Sequence, residues 1–150
     1  MIAAGKLAGY VCDFPKPELL RVPEVICLPH LGASTVEAEE NCAVMVVQQL
    51  KDYLENGNIL NAVNFPDVQM ERESHYRLGI ANENVPNMVG QISTLLAENN
   101  LNIHNMVNKS RANVAYTLVD VDSSVGKGTL DSISAVKGVL GVRYLPLLDD

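Results

Sequence analysis

The chain has 150 residues, 47% of them hydrophobic and 19% charged, with a formal net charge of -7. These values belong to an ordinary packed protein of one domain or two small ones, and they exclude a disordered tail, a fibrous repeat and a large enzyme. Residues 1–75 carry five Lys/Arg against eleven Asp/Glu and residues 76–150 carry six against seven, so neither half has the cationic excess that neutralises phosphates and nucleic acid is not an expected partner.

A conspicuous apolar run, Cys42 to Val47, is far shorter than the roughly 20 residues a membrane-spanning helix needs, so no membrane partner is expected. The start, Met1-Ile2-Ala3-Ala4-Gly5-Lys6, lacks the basic region and apolar stretch of a secretory signal, and the expected location is the cytoplasm. Cys12, Cys27 and Cys42 form no C-x-x-C pair. They read as small buried hydrophobes and not as a disulfide framework or zinc site.

In chain order, Ala8-Gly9-Tyr10-Val11-Cys12 and Glu24-Val25-Ile26-Cys27-Leu28 are short, continuously apolar segments, the pattern of strands buried on both faces of a parallel sheet. The run Ser34-Thr35-Val36-Glu37 is a capping box, predicting a helix from Ser34 to about Asn56, with Gly57 as a left-handed stop. Its apolar middle, Cys42–Val47, suits a helix clamped between two bodies. Residues 58–75 show neither period, and Asn64-Phe65-Pro66-Asp67 breaks regular structure, which predicts a linker.

From Tyr76 the pattern changes. Tyr76, Leu78 and Ile80 alternate as a strand, and Val85, Met88, Val89, Ile92, Leu95 and Leu96 recur at helical spacing up to Asn99-Asn100. Strands are predicted over roughly 102–109 and 114–122, joined by Ser110-Arg111-Ala112-Asn113, then a helix from near Thr129 and a strand at Val142-Arg143-Tyr144-Leu145. The order is βαββαβ, an α+β unit with both helices on one face of an antiparallel sheet. Gly126-Lys127-Gly128-Thr129 lacks the first glycine and the Lys-Ser/Thr step of a phosphate loop and reads as a turn. His75 and His104 have no metal-ligand spacing around them, so no metal site is expected.

Residues 76–148 resemble the ACT domain, a ferredoxin-like amino-acid-sensing module, with Ile80-Ala81-Asn82-Glu83-Asn84-Val85-Pro86-Asn87-Met88-Val89 lying where that family has its strand-to-helix ligand loop. Asp13-Phe14-Pro15 and Leu28-Pro29-His30-Leu31-Gly32-Ala33-Ser34-Thr35 are similar to the end of the coenzyme-binding domain of D-2-hydroxyacid dehydrogenases. The two parts, joined by Asn61-Ala62-Val63-Asn64-Phe65-Pro66, together resemble the C-terminal portion of the phosphoglycerate dehydrogenase family. The expected architecture is therefore α+β: an incomplete α/β Rossmann remnant with a long helix over 1–57, a linker over 58–75 and a ferredoxin-like regulatory domain over 76–148.

The resemblance implies a C-terminal regulatory fragment of an NAD-dependent enzyme of L-serine synthesis. No G-x-G-x-x-G occurs in the chain, so NAD belongs to the parent enzyme, and by itself this chain is expected to bind no cofactor and to show no dehydrogenase turnover. By pattern alone His30 is a solvated loop histidine; by resemblance it is the catalytic acid, with Glu18 its orienting carboxylate. The resemblance also assigns Asn82, Asn84 and Asn102 to an amino acid such as serine. By pattern Asn84 caps a helix and Asn102 opens a strand. A homo-oligomer, most simply a dimer through the sheet edges, is implied as well. The alternative is a free-standing ACT-type module that binds an amino acid or oligomerises without an enzymatic role.

Overall fold

A computed structural model describes Ile2 and residues 4–147; position 148, the expected end of the regulatory domain, lies outside them. The chain divides into two compact units, Met1–Met45 and Val46–Asp150. In the first, strands β1 (Tyr10–Cys12) and β2 (Val25–Cys27) pair in parallel, Tyr10 opposite Val25 and Cys12 opposite Cys27. A 3-10 turn at Pro17–Arg21 connects them. The cysteines correct the expectation of burial: Cys12 and Cys27 are half-buried and Cys42 is exposed. Two three-residue strands with one short turn against them do not make the layers that would enclose a side chain on both faces.

Helix α1 (Val36–Asn56) begins one residue later than the capping box suggests, because Thr35 and not Ser34 caps it: the Ala38 N–H donates to Thr35 Oγ1 at 3.2 Å. No residue of α1 is buried. Gly57 stops the helix as predicted, at φ +74°.

The second unit carries β3 (Tyr76–Glu83), α2 (Met88–Glu98), β4 (Ile103–Arg111), β5 (Val114–Val121), α3 (Lys127–Ser134) and β6 (Val139–Pro146). The antiparallel sheet has the order β4-β5-β3-β6, which with the βαββαβ chain order makes it ferredoxin-like. Alternation places Leu78, Ile80, Val119 and Val121 in one core with Ile92 and Leu96 of α2 and Ile133 of α3. Two local expectations are revised. Ser110 and Arg111 extend β4, leaving a two-residue turn in which Ala112 takes φ +52°. Lys127, Gly128 and Thr129 form the first turn of α3, with Gly126 before it, instead of a loop.

The opposite sheet face is covered by residues expected to be a linker. Ile59 and Val68 form an isolated bridge, and Val68 and Met70 pack with Tyr116 and Leu118 in a second core. This segment has no period because its contacts are made by single residues along an irregular backbone. Arg77, on the same face, is wholly buried and all five of its N–H groups have partners. It forks onto Asp120, Nε to Oδ1 at 2.6 Å and Nη2 to Oδ2 at 2.8 Å, and donates to the carbonyls of Asn56, Met70 and Glu71 at 3.1, 2.9 and 2.9 Å. Asp120 Oδ2 also accepts the Glu73 N–H at 3.0 Å.

Arginines also finish α1. The last four carbonyls of a helix lack intrahelical donors, and α1 has no basic residue in its own last turn. Arg143 of β6 donates to the Tyr53 and Leu54 carbonyls at 3.1 and 3.3 Å, Arg72 to Glu55 at 3.3 Å and Arg77 to Asn56 at 3.1 Å. Three cations thus sit at the negative end of the helix dipole. Arg143 also lies 4.4 Å from the centre of the Tyr53 ring.

Candidate functional site

In the first unit the parallel register sets Asp13, just past β1, beside His30, just past β2. This is the carboxyl end of the strand pair, where open α/β sheets carry their sites. His30 Nδ1 and Asp13 Oδ2 are 2.9 Å apart, and the Phe14 ring meets the imidazole edge-on with centroids 5.7 Å apart. Both side chains remain more than half exposed. Glu18, the carboxylate that the resemblance pairs with His30, lies in the exposed 3-10 turn, and the hydrogen-bond partner of His30 is Asp13. Asp13 replaces it because the register of two parallel strands aligns their ends, whereas Pro17 carries Glu18 off into the turn.

These residues do not fit NAD. The strand pair is joined by a 3-10 turn instead of a glycine turn leading into a helix, and α1 starts with Glu37 and Glu39 in its first turn. Those carboxylates oppose the pyrophosphate that a helix N-terminus would otherwise attract. Among the described residues no group of three His, Cys, Asp or Glu side chains could hold a metal ion, and no helix is long and apolar enough to cross a membrane.

In the second unit Asn84 does not cap α2. Its backbone N–H donates to the Asn113 carbonyl at 2.9 Å and its Nδ2 to the Ala112 carbonyl at 3.0 Å, so it closes over the β4–β5 turn. The cap position falls to Asn87, whose φ of +68° is left-handed and whose side chain makes no capping bond. Asn82 is 1% exposed; its Nδ2 donates to the Glu83 carbonyl at 2.7 Å, while its buried Oδ1 has no partner among the described residues. Asn102 precedes β4 and is tied to Asp122 through its backbone: its N–H donates to the side-chain Oδ1 of Asp122 at 3.1 Å and its carbonyl accepts the Asp122 N–H at 3.1 Å.

One protomer therefore does not bring the three asparagines together. Asn82 and Asn84 are at the Val114 end of β5 and Asn102 is at its Val121 end, about 25 Å away at 3.3 Å per strand residue. An open cleft of about 360 Å³ does lie beside Asn84, lined also by Glu83, Val85, Asn113, Val114 and Leu140.

Tyr116, on the sheet face opposite α2 and α3, went unremarked in the sequence. Its hydroxyl donates to the Gly57 carbonyl at 3.0 Å, and burial, with a smaller push from Tyr53, raises the phenol from 10.0 to about 12. Folding thus favours the protonated phenol. Its contribution to stability is complete below pH 10 and is lost as pH rises towards about 12. Unfolding free energies measured across that window should fall more steeply for the natural chain than for Tyr116→Phe; parallel curves would show that the phenol is not held protonated.

Fold and geometry define an α+β protein with a ferredoxin-like unit and a separate His–Asp pair on parallel strands. No family model matches the chain. It is 33% identical to the D-3-phosphoglycerate dehydrogenase of Escherichia coli K12 over 129 residues, covering 85% of this chain and 32% of that protein. It is 34% identical to the D-3-phosphoglycerate dehydrogenase of Haemophilus influenzae over 153 aligned positions, covering 94% and 37%. The chain thus spans about a third of the length of these relatives. Among solved structures, the ACT domain of the GTP pyrophosphokinase of Chlorobium tepidum aligns with 47% of this chain and 95% of its own, at 19% identity and a TM-score of 0.42.

Proposed function

We propose that the chain is the C-terminal regulatory portion of an NAD-dependent D-3-phosphoglycerate dehydrogenase, and that its ferredoxin-like unit is an ACT domain sensing an amino acid such as L-serine in a homo-oligomer. The observation that carries this reading is the similarity to D-3-phosphoglycerate dehydrogenases, which runs through both units. In the parent enzyme Asp13 orients His30 through Nδ1, and proton exchange with a hydroxy-acid substrate falls to Nε2.

The topology supports the ligand reading. β4 is an edge strand, and antiparallel pairing of two such edges about a two-fold axis would set the Asn84 end of one copy against the Asn102 end of the other. A bound amino acid would then meet donors and acceptors from both copies, its ammonium suited to the unpartnered Oδ1 of Asn82.

L-Serine at millimolar concentration is expected to raise the unfolding temperature, since a ligand that prefers the native state stabilises it by mass action. Asn84→Ala and Asn102→Ala should each erase the serine-dependent increment whatever they do to the baseline, and Asn82→His should enlarge it. A monomeric mass by light scattering at micromolar concentration would count against the shared site. Absence of heat with serine, glycine or any other common amino acid would leave the unit an assembly device.

A further inference from the structure

Cys12 closes β1 and Cys27 closes β2, and the parallel register sets them directly opposite each other. The Leu28 N–H donates to the Cys12 carbonyl at 2.9 Å and the Tyr10 N–H to the Glu24 carbonyl at 3.0 Å, which fixes that register at both ends. Paired strands run about 4.8 Å apart, within the Cα separation of roughly 4.4–6.8 Å that a disulfide spans. Residues opposed across a ladder present their side chains on one face. Both cysteines are half-buried, whereas Val11 and Ile26, the opposed pair one step back, are exposed, so the two thiols share the less exposed face of the strand pair. Partial burial pushes the Cys12 thiol up, and the Cys27 side chain beside it pushes the same way.

Neither sulfur takes part in the Asp13–His30 pair, yet Cys12 immediately precedes Asp13 and Cys27 lies three positions before His30. We propose that Cys12 and Cys27 are a reversible dithiol–disulfide couple, oxidised by exchange with a small disulfide such as glutathione disulfide, that ties together the strand ends carrying Asp13 and His30. The Cys27 thiolate attacks one sulfur of glutathione disulfide and releases a first glutathione thiolate. The Cys12 thiolate then attacks the Cys27 sulfur of the mixed disulfide and releases the second. The two protons lost by the cysteines pass to the two glutathione thiolates, so one dithiol is oxidised as one disulfide is reduced.

The test uses a symmetry of the sequence: Cys27 lies fifteen positions from Cys12 and from Cys42 alike, so an unfolded chain closes either loop at about the same entropic cost. The full chain is treated with excess glutathione disulfide in buffer and in concentrated urea, quenched by alkylation and mapped by mass spectrometry. In buffer the Cys12–Cys27 bond should exceed the Cys27–Cys42 bond at least tenfold, in urea the two should agree within about twofold, and dithiothreitol should restore both thiols. Oxidation in buffer should also slow hydrogen exchange at the Leu28 amide, read by NMR, because the crosslink holds the Cys12 carbonyl against it. In Cys12→Ser, Cys27 should retain glutathione and Leu28 should exchange at the rate of the reduced chain. A folded chain that forms the two disulfides in the proportion seen in urea, or that keeps Cys12 and Cys27 as thiols, would overturn the proposal, as would oxidation that leaves Leu28 exchange unaltered.

Discussion

Replacing Arg77 with methionine is expected to lower the unfolding free energy by about 3–5 kcal/mol, the usual cost of removing one partner from a buried ion pair. Arg77 and Asp120 are both wholly buried and joined by two bonds of 2.6 and 2.8 Å. The variant leaves a carboxylate in the interior with only the Glu73 N–H to satisfy it, and it strips donors from the Asn56, Met70 and Glu71 carbonyls. Denaturant titration would read the loss. Arg77→Met combined with Asp120→Leu should recover a large part of it, since replacing both partners by apolar groups removes the stranded charge. The carbonyls would stay unpaired, so recovery should be incomplete. If the single variant costs less than about 1 kcal/mol, the magnitude of an exposed pair, the carboxylate finds water and the Arg77 bonds to the carbonyls of Asn56, Met70 and Glu71 do not hold that segment on the sheet.

The same residue explains where sequence reading reaches its limit. β3 was legible because Tyr76, Leu78 and Ile80 alternate, and that alternation assigns Arg77 to the solvent side. In the structure the solvent side is occupied by residues 58–70, whose few buried anchors, Val68 and Met70, have no spacing that announces them. Gly57 was legible as a helix stop because the left-handed backbone strongly prefers glycine there. The arginines that satisfy the end of α1 come from β3, β6 and residue 72, far away along the chain, so no local window contains both donor and acceptor. At the candidate sites local pattern reads His30 as a loop residue, Asn84 as a helix cap and Asn102 as the start of a strand, and the resemblance sets Glu18 beside His30. Strand register instead gave His30 to Asp13, and the β4–β5 turn took Asn84.

Gly79→Ala is expected to destabilise the second unit by about 2–4 kcal/mol, combining overpacking with the loss of a buried hydrogen bond. A β-carbon at Gly79 would run into the Tyr116 hydroxyl, which cannot move aside without leaving the Gly57 carbonyl. Tyr116→Phe alone removes that bond and leaves the carbonyl unpaired, at a cost of about 1 kcal/mol or somewhat more. With the hydroxyl gone, the nearest ring carbon would sit 3.3 Å from the new β-carbon, a tight contact that a small shift of the ring relieves. Gly79→Ala with Tyr116→Phe should therefore be more stable than Gly79→Ala by itself, although it carries one more substitution. A double-mutant cycle measured by thermal and urea unfolding gives the coupling directly. If the two costs simply add, the glycine is not there to let the tyrosine pass over it, and the fastening of the α1 terminus to the sheet through Tyr116 would have to be abandoned.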